Sequence, residues 1–243
     1  MRVAALYDVH GNLPALEAVL ADVDAEGVDV VVSGGDLVAG PFPAEVLALL
    51  ESRPDVRFLR GNADRLVLEG VDEHEQDWAS ARERLGERAL ETIDSWPLTV
   101  ELEIDGLGRI LFCHAVPSAD EPIFTRLTPD DDVAGLIGDV AAEVVVCGHT
   151  HAQFDRRLPS GLRVVNAGSV GMPYQGRRGA FWALLGPEVE LRRTEYDTEA
   201  AVAAIRETTG PTHEQLVGWL LEPPDPEETA AYFEGLRTKG DGA

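Results

Sequence analysis

The sequence predicts an α/β protein whose opening part is a set of parallel strands with polar groups collected at one edge. Three observations carry this. Apolar runs from Arg2 to Tyr7, Val28 to Val32 and Val56 to Leu59 each lead into a stretch with helical spacing. Each run is followed closely by a polar residue: Asp8, Asp36 and Asn62. These residues stand 28 and 26 apart, close to the ~30 residues of a βαβ unit. Right-handed crossovers lay such strands parallel and bring all three residues to the carboxyl edge of one sheet. Asp, Asn and Gly are also ordinary turn residues. Each unit alone is therefore consistent with a structural turn, and the repetition in register is the stronger signal.

The elements follow in order. After Asp8-Val9-His10-Gly11-Asn12, residues 13–26 place Leu13, Leu16, Val19, Leu20 and Val23 on one helical face. Asn12 suits the N-cap and Pro14 the first turn. The second run ends at Ser33-Gly34-Gly35-Asp36, and residues 43–52 read as a helix. The third ends at Arg60-Gly61-Asn62-Ala63-Asp64. Residues 71–97 are polar, with Trp78, Leu85, Leu90, Ile93 and Trp96 spaced for one helix that Pro97 stops. This segment reads equally well as a cover over the mouth of a site or as a plain connection. Leu98 to Ile104 and Arg109 to Cys113 alternate as a hairpin around Asp105-Gly106, and His114 follows. Residues 128–140 suit a helix.

The run Val144-Val145-Val146-Cys147 then reads as a buried strand ending in Gly148-His149-Thr150-His151, where Gly148 permits a turn. Gln153 to Leu158 and Leu162 to Val165 form a hairpin around Ser160-Gly161. Ala180 to Leu185 and Val189 to Glu195 add antiparallel strands. From Asp197 the chain reads as short helices broken at Gly210-Pro211 and Pro223-Pro224, with a polar tail. We place a main domain at 1–196 and a helical extension at 197–243.

Composition bounds the rest. The 243 residues are 44% hydrophobic, enough for a full core. No apolar run reaches the length of a membrane span. The N-terminus enters a strand pattern with an acidic residue where a signal peptide would still be apolar, which points to the cytoplasm. Cys113 and Cys147 are too few for a disulfide framework, and packing is their expected role. Nineteen arginines and Lys239 oppose 44 carboxylates, for a net charge of −24. So acidic a surface repels nucleic-acid polymers and anionic membranes. Adaptation to high salt and an arginine-rich coding bias explain it equally well. The oligomeric state is left open, a homo-oligomer included.

The residues at strand ends are Asp8, His10, Asp36, Asn62, His114, His149 and His151. Carboxylates, imidazoles and an amide with no thiolate suit divalent ions of intermediate hardness, such as Mn²⁺, Fe²⁺, Ni²⁺ or Zn²⁺, with Mg²⁺ also admitted. Seven donors exceed what one ion needs. Two ions sharing a carboxylate would use them all, and could hold a hydroxide and a phosphate oxygen for in-line attack. His74 and His213 fall in polar helical stretches and are expected in solvent.

Asp8-x-His10, Gly35-Asp36, Gly61-Asn62, His114 and Gly148-His149-x-His151 resemble, in order, the motifs of the calcineurin-like metallophosphoesterases. The resemblance covers roughly residues 1–196. The opening from Asp8 to Leu16 and the segment Asn166-Ala167-Gly168-Ser169-Val170-Gly171 are most similar to the small bacterial and archaeal phosphodiesterase branch. It implies a four-layer α-β-β-α sandwich of two mixed sheets. It also implies a first metal on Asp8, His10 and His151, a second on Asn62, His114 and His149, and Asp36 bridging them. Asp36, Asn62 and His114 would then be catalytic, and a metal-bridging hydroxide would attack a small phosphate ester. Manganese is the first expectation for the ion.

In many members a histidine follows the motif asparagine and assists the leaving group. Here Ala63 stands there, and the branch this chain resembles often lacks that histidine too. Asp64 is a candidate acid, but a favourable charge at a helix N-terminus is the better account. The amides of Gly11 and Asn12, opening a helix, are candidate phosphate contacts. The rival functions are a phosphomonoesterase, a metal-binding scaffold with little activity, and a nuclease, the last disfavoured by charge.

Overall fold

The computed structural model describes residues 1–70, 78–210 and 212–240. His74, the stretch 71–77, Pro211 and the last three residues of the polar tail lie outside the described residues. Two five-stranded mixed sheets face each other. The first holds β1 (Val3–Leu6), β2 (Val30–Ser33) and β3 (Val56–Phe58), parallel to one another, together with β9 (Ala180–Leu185) and β10 (Val189–Thr194). Its order is β10-β9-β1-β2-β3, with β9 antiparallel to β1. The second sheet runs β4-β5-β6-β8-β7. Its strands are β4 (Thr99–Ile104), β5 (Gly108–Cys113), β6 (Val144–Cys147), β7 (Phe154–Arg157) and β8 (Arg163–Asn166), of which β5, β6 and β8 are parallel.

Side chains alternate across β1, and this sets the layers. Val3, Ala5 and Tyr7 point between the sheets, where they meet Ile110, Phe112, Val144 and Val146. Ala4 and Leu6 point outward onto α1 (Leu13–Glu26) and α2 (Pro43–Glu51). On the far side, Leu111 and Val145 pack against Val133 and Ile137 of α6 (Asp130–Ile137). The result is the expected α-β-β-α sandwich. Cys113 and Cys147 are buried in that outer packing, and burial pushes both thiols up and keeps them inert.

The helix starts follow from local chemistry. Asn12 caps α1 by accepting from the Ala15 amide, and Pro14 lies in its first turn. α3 (Asn62–Glu69) begins on the motif asparagine itself. The single helix expected before Pro97 is two, α4 (Trp78–Leu85) and α5 (Glu87–Asp94). Gly86 breaks it, adopting φ 76°, which side-chain-bearing residues avoid. Three helices, α7 (Thr198–Arg206), α8 (His213–Leu221) and α9 (Pro226–Gly240), form the extension. The apolar faces of α7 and α8 pack together through Val202, Ile205, Leu216, Val217 and Leu220, and against Phe42 and Met172. His213, expected in solvent, is instead buried at the start of α8, with Nδ1 2.7 Å from the Thr208 hydroxyl. The helical period was right, but the packed extension turned that face inward.

Candidate metal centre

Parallel pairing delivers the strand-end residues to one edge of each sheet. Leu6 lies opposite Ser33 and Ser33 opposite Phe58, so Asp8, Asp36 and Asn62 emerge side by side. Phe112 lies opposite Val146, so His114 and the 149–151 turn emerge together on the facing sheet. The two edges meet. Asp8, His10 and His151 converge, as do Asp36, His114 and His149, with one donor atom from each lying within 4.8 Å of the others in its group. Asn62 joins the second group through its Oδ1, 3.0 Å from His114 Nε2. Asp36 Oδ2 lies between the groups, 3.3 Å from His114 Nε2 and 3.8 Å from His10 Nε2.

The backbone is bent to achieve this. Asp8, His10, Asp36, His149 and His151 all have positive φ, between 46° and 67°, and among the described residues they are the only non-glycine residues that do. Each such conformation costs of order 1–3 kcal/mol and persists only where its surroundings impose it. The turn expected at Gly148 is made by the histidines after it. Gly148 is needed for a different reason: a Cβ there would strike the Asp8 carboxylate and the Tyr7 ring.

Backbone acceptors set the ring tautomers, since a carbonyl can only accept. His114 Nδ1 donates to Gly34 O at 2.9 Å, His151 Nδ1 to Met172 O at 2.8 Å, and His149 Nε2 to Glu121 O at 3.0 Å. The other nitrogen of each ring is turned into the site, where a bound metal ion would displace any proton and take its lone pair. His10 Nε2 and His151 Nε2 face each other at 3.2 Å, which calls for a proton or a cation between them. Asp8 Oδ2 accepts from the His149 amide, but Asp8 Oδ1 is buried without a well-aligned hydrogen bond and faces His151 Nε2 at 3.3 Å. A buried anionic oxygen without such a bond is unfavourable unless a cation faces it. The donor set therefore fits divalent metal ions.

The charges agree. Burial alone would raise the Asp8 and Asp36 carboxyls, yet the facing imidazoles hold both below the usual carboxylate range. Burial opposes a charged ring at His114, but Asp36 and Asp8 raise it to about 10. Burial, helped by His114, lowers His149 to about 4. Two buried carboxylates thus draw positive charge into the site.

Asp64 is a structural anchor. It is fully buried; Oδ2 accepts from the amides of Asp36 and Gly61, and Oδ1 from those of Leu37 and Val38. Burial and the Asp36 charge push it up to about 6 against the amides of Gly61, Leu37 and Val38. The expectation that Gly11 and Asn12 offer amides to a phosphate is overturned. Gly11 N donates to Leu37 O and Asn12 N to Val9 O, and both residues are buried. Two residues of the segment 166–171, which the resemblance singled out without assigning them a role, support the site. Ser169 donates to Asp8 O, and Asn166 Nδ2 donates to Gly148 O. No ligand-type side chain marked them.

The metal ligands open into a cavity of about 680 Å³. Ala63 and Trp78 line it, but most of its far wall comes from α8 and α9. Among the described residues, α4 and α5 otherwise pack beside α2 and α3, and the cavity wall opposite the metal ligands is formed mostly by α8 and α9 rather than by residues 78–97; residues 71–77 of that segment lie outside the described residues.

A family model for the calcineurin-like phosphoesterase superfamily domain matches residues 1–185. An uncharacterised protein of Methanocaldococcus jannaschii is 30% identical over 246 residues, covering 90% of this chain and 96% of its own. The crystal structure of a metallophosphoesterase from Sphaerobacter thermophilus superposes with a TM-score of 0.74 at 27% identity, covering 91% of this chain and 99% of that one. A hypothetical protein from Pyrococcus horikoshii shares the fold at a TM-score of 0.77 and 21% identity, covering 92% and 99%.

Proposed function

The chain belongs to the calcineurin-like phosphoesterase superfamily, and on that premise we propose that it is a cytoplasmic two-metal phosphodiesterase acting on a small substrate. One observation carries the reading. Two groups of imidazoles and carboxylates converge with Asp36 Oδ2 between them, beside a buried Asp8 oxygen whose facing neighbour is the ring nitrogen of His151. Asp8, His10 and His151 would hold one ion, Asn62, His114 and His149 the other, and Asp36 would be shared. Manganese suits this mix of oxygen and imidazole donors. When bound, the ions supply Lewis acidity at phosphoryl oxygens and activate water as the nucleophile.

The chain's own residues do the positioning. The Ala63 amide donates to Asp36 Oδ1 at 2.7 Å and so fixes the direction of Oδ2. The carbonyls of Gly34, Met172 and Glu121 hold three imidazoles with the other ring nitrogen turned inward, where it could ligate an ion. Preference for a diester rests on charge. Among the described residues lining the cavity none is Arg or Lys, so the single negative charge of a diester is better tolerated than the two of a monoester.

Elemental analysis of the protein after manganese loading and dialysis should find two ions per chain. Hydrolysis of bis(p-nitrophenyl) phosphate should exceed that of p-nitrophenyl phosphate. Asp36→Asn keeps the shape but loses the shared charge, and should lower turnover by at least ~10²-fold. One ion per chain, or normal turnover in Asp36→Asn, would overturn the reading.

A further inference from the structure

The cavity is much larger than a phosphate needs. At about 680 Å³ it lies within the roughly 300–1,000 Å³ of small-molecule sites. The wall opposite the metal ligands comes from α8 and α9, beyond the residues 1–185 that the family model matches. What a substrate meets past its phosphate is therefore set largely by chain beyond the matched residues, with Tyr174 contributed from within them.

Aromatic rings run through the cavity from a metal ligand to that wall. Tyr174 stacks on His151 with centroids 4.8 Å and planes 23° apart. Trp219 meets Tyr174 edge-on at 5.7 Å and 79°, and Phe233 lies 6.3 Å from Tyr174. Tyr232 continues the series at the rim, 5.8 Å from Phe233 and 64% exposed. A ladder of aromatic faces and edges thus runs from a metal ligand to solvent. Past the metal ligands, the charged groups among the described lining residues are Asp225 and Glu228. A second phosphate or carboxylate on the substrate would face these with no cation to offset them.

Resting on the phosphoesterase reading above, we propose that the substrate carries one phosphate and an organic group ending in a flat aromatic ring. The ring lies among Tyr174, Trp219 and Phe233, and the organic group bears no further anion. Ring-on-ring contact supplies the attraction, and the carboxylates supply the discrimination, because repulsion of a wrong ligand is as effective as attraction of the right one.

Calorimetric titration of the manganese-loaded full-length protein tests this by binding, with no turnover involved. Phenylphosphonate should bind about 10-fold or more tightly than methylphosphonate, in line with stacking on aromatic side chains. Adding a para carboxylate, as in 4-phosphonobenzoate, should remove the advantage. Trp219→Ala should shrink the phenyl-to-methyl ratio at least ~3-fold by loss of stacking. Phe233→Ala, which removes another of the three rings, should shrink it in the same direction. Equal binding of phenyl- and methylphosphonate by a protein that hydrolyses nitrophenyl diesters would overturn this proposal and leave the phosphoesterase reading standing. Tight binding of 4-phosphonobenzoate would overturn it too. Tighter binding of (2-trimethylammonioethyl)phosphonate than of phenylphosphonate would assign the rings to a cation and overturn it. Absence of both phosphonate binding and ester hydrolysis would overturn the phosphoesterase reading and this proposal together.

Discussion

At the scale of single residues, the centre is made of side chains on a backbone that L-residues avoid. His10, at φ 46°, is one of the strained positions. A left-handed conformation costs a residue with a Cβ about 1–2 kcal/mol, and glycine escapes that cost. Without metal, His10→Gly should therefore be more stable than His10→Ala by about 1 kcal/mol, the reverse of their usual order. Urea denaturation of both variants in chelator checks this; an alanine variant as stable as the glycine variant would mean the φ is not imposed. Ala63 gives a second expectation. It lines the cavity where a proton donor would assist departure, and the nearby Asp64 carboxylate is buried and occupied by four amides. Rates across a series of diesters should fall steeply from nitrophenyl to alkyl leaving groups, since donated protons typically account for ~10²–10⁴-fold. A flat series would reveal a donor the structure does not place.

At the scale of elements, the site depends on how the loop after β2 is pinned to the start of α3. Asp64 does the pinning, because each carboxylate oxygen receives two backbone amides. Asp64→Asn would turn an NH₂ toward two N–H donors and leave them unsatisfied in the interior. The expected loss is about 1–3 kcal/mol of stability, with metal affinity lower by ~10–100-fold, the usual effect of disturbing a residue that orients ligands. Chemical denaturation and competitive metal titration give the two numbers. Metal affinity as in the unsubstituted protein would show that the loop holds Asp36 without this anchor.

At the scale of the molecule, the charge is lopsided. Arginines are engaged by several carboxylates each: Arg65 reaches Glu69, Asp120 and Glu121, and Arg53 reaches Asp24 and Asp55. The remaining acidic excess, part of the −24 net charge, repels itself across the surface. Ions at molar concentration shrink the screening length to about 3 Å. If the excess is an adaptation to salt, the melting temperature should rise by about 5 °C or more from low to molar salt, which for a chain of this size corresponds to a few kcal/mol. A flat melting temperature favours coding bias.

The sequence by itself determined the strands, most helices and the identity of the converging donors. It could do so because strand alternation, βαβ spacing and helix caps are local or nearly periodic. Asp8, Asp36 and Asn62 could be assigned to one edge from spacing alone, since parallel pairing leaves little freedom in where consecutive strand ends fall. Other features depended on contacts distant in the chain. The break at Gly86 was hidden because the apolar period runs straight through it. Gly11 and Asn12 looked available until the strand-end loops closed on their amides. His213 looked solvated because a helix pattern does not say which face meets a neighbour. The rings of Tyr174, Trp219 and Phe233 carry no motif and lie up to 59 residues apart. Only the packing of α8 and α9 over the metal ligands brought them into one cavity, because their convergence is a property of the assembled surface that no local pattern encodes.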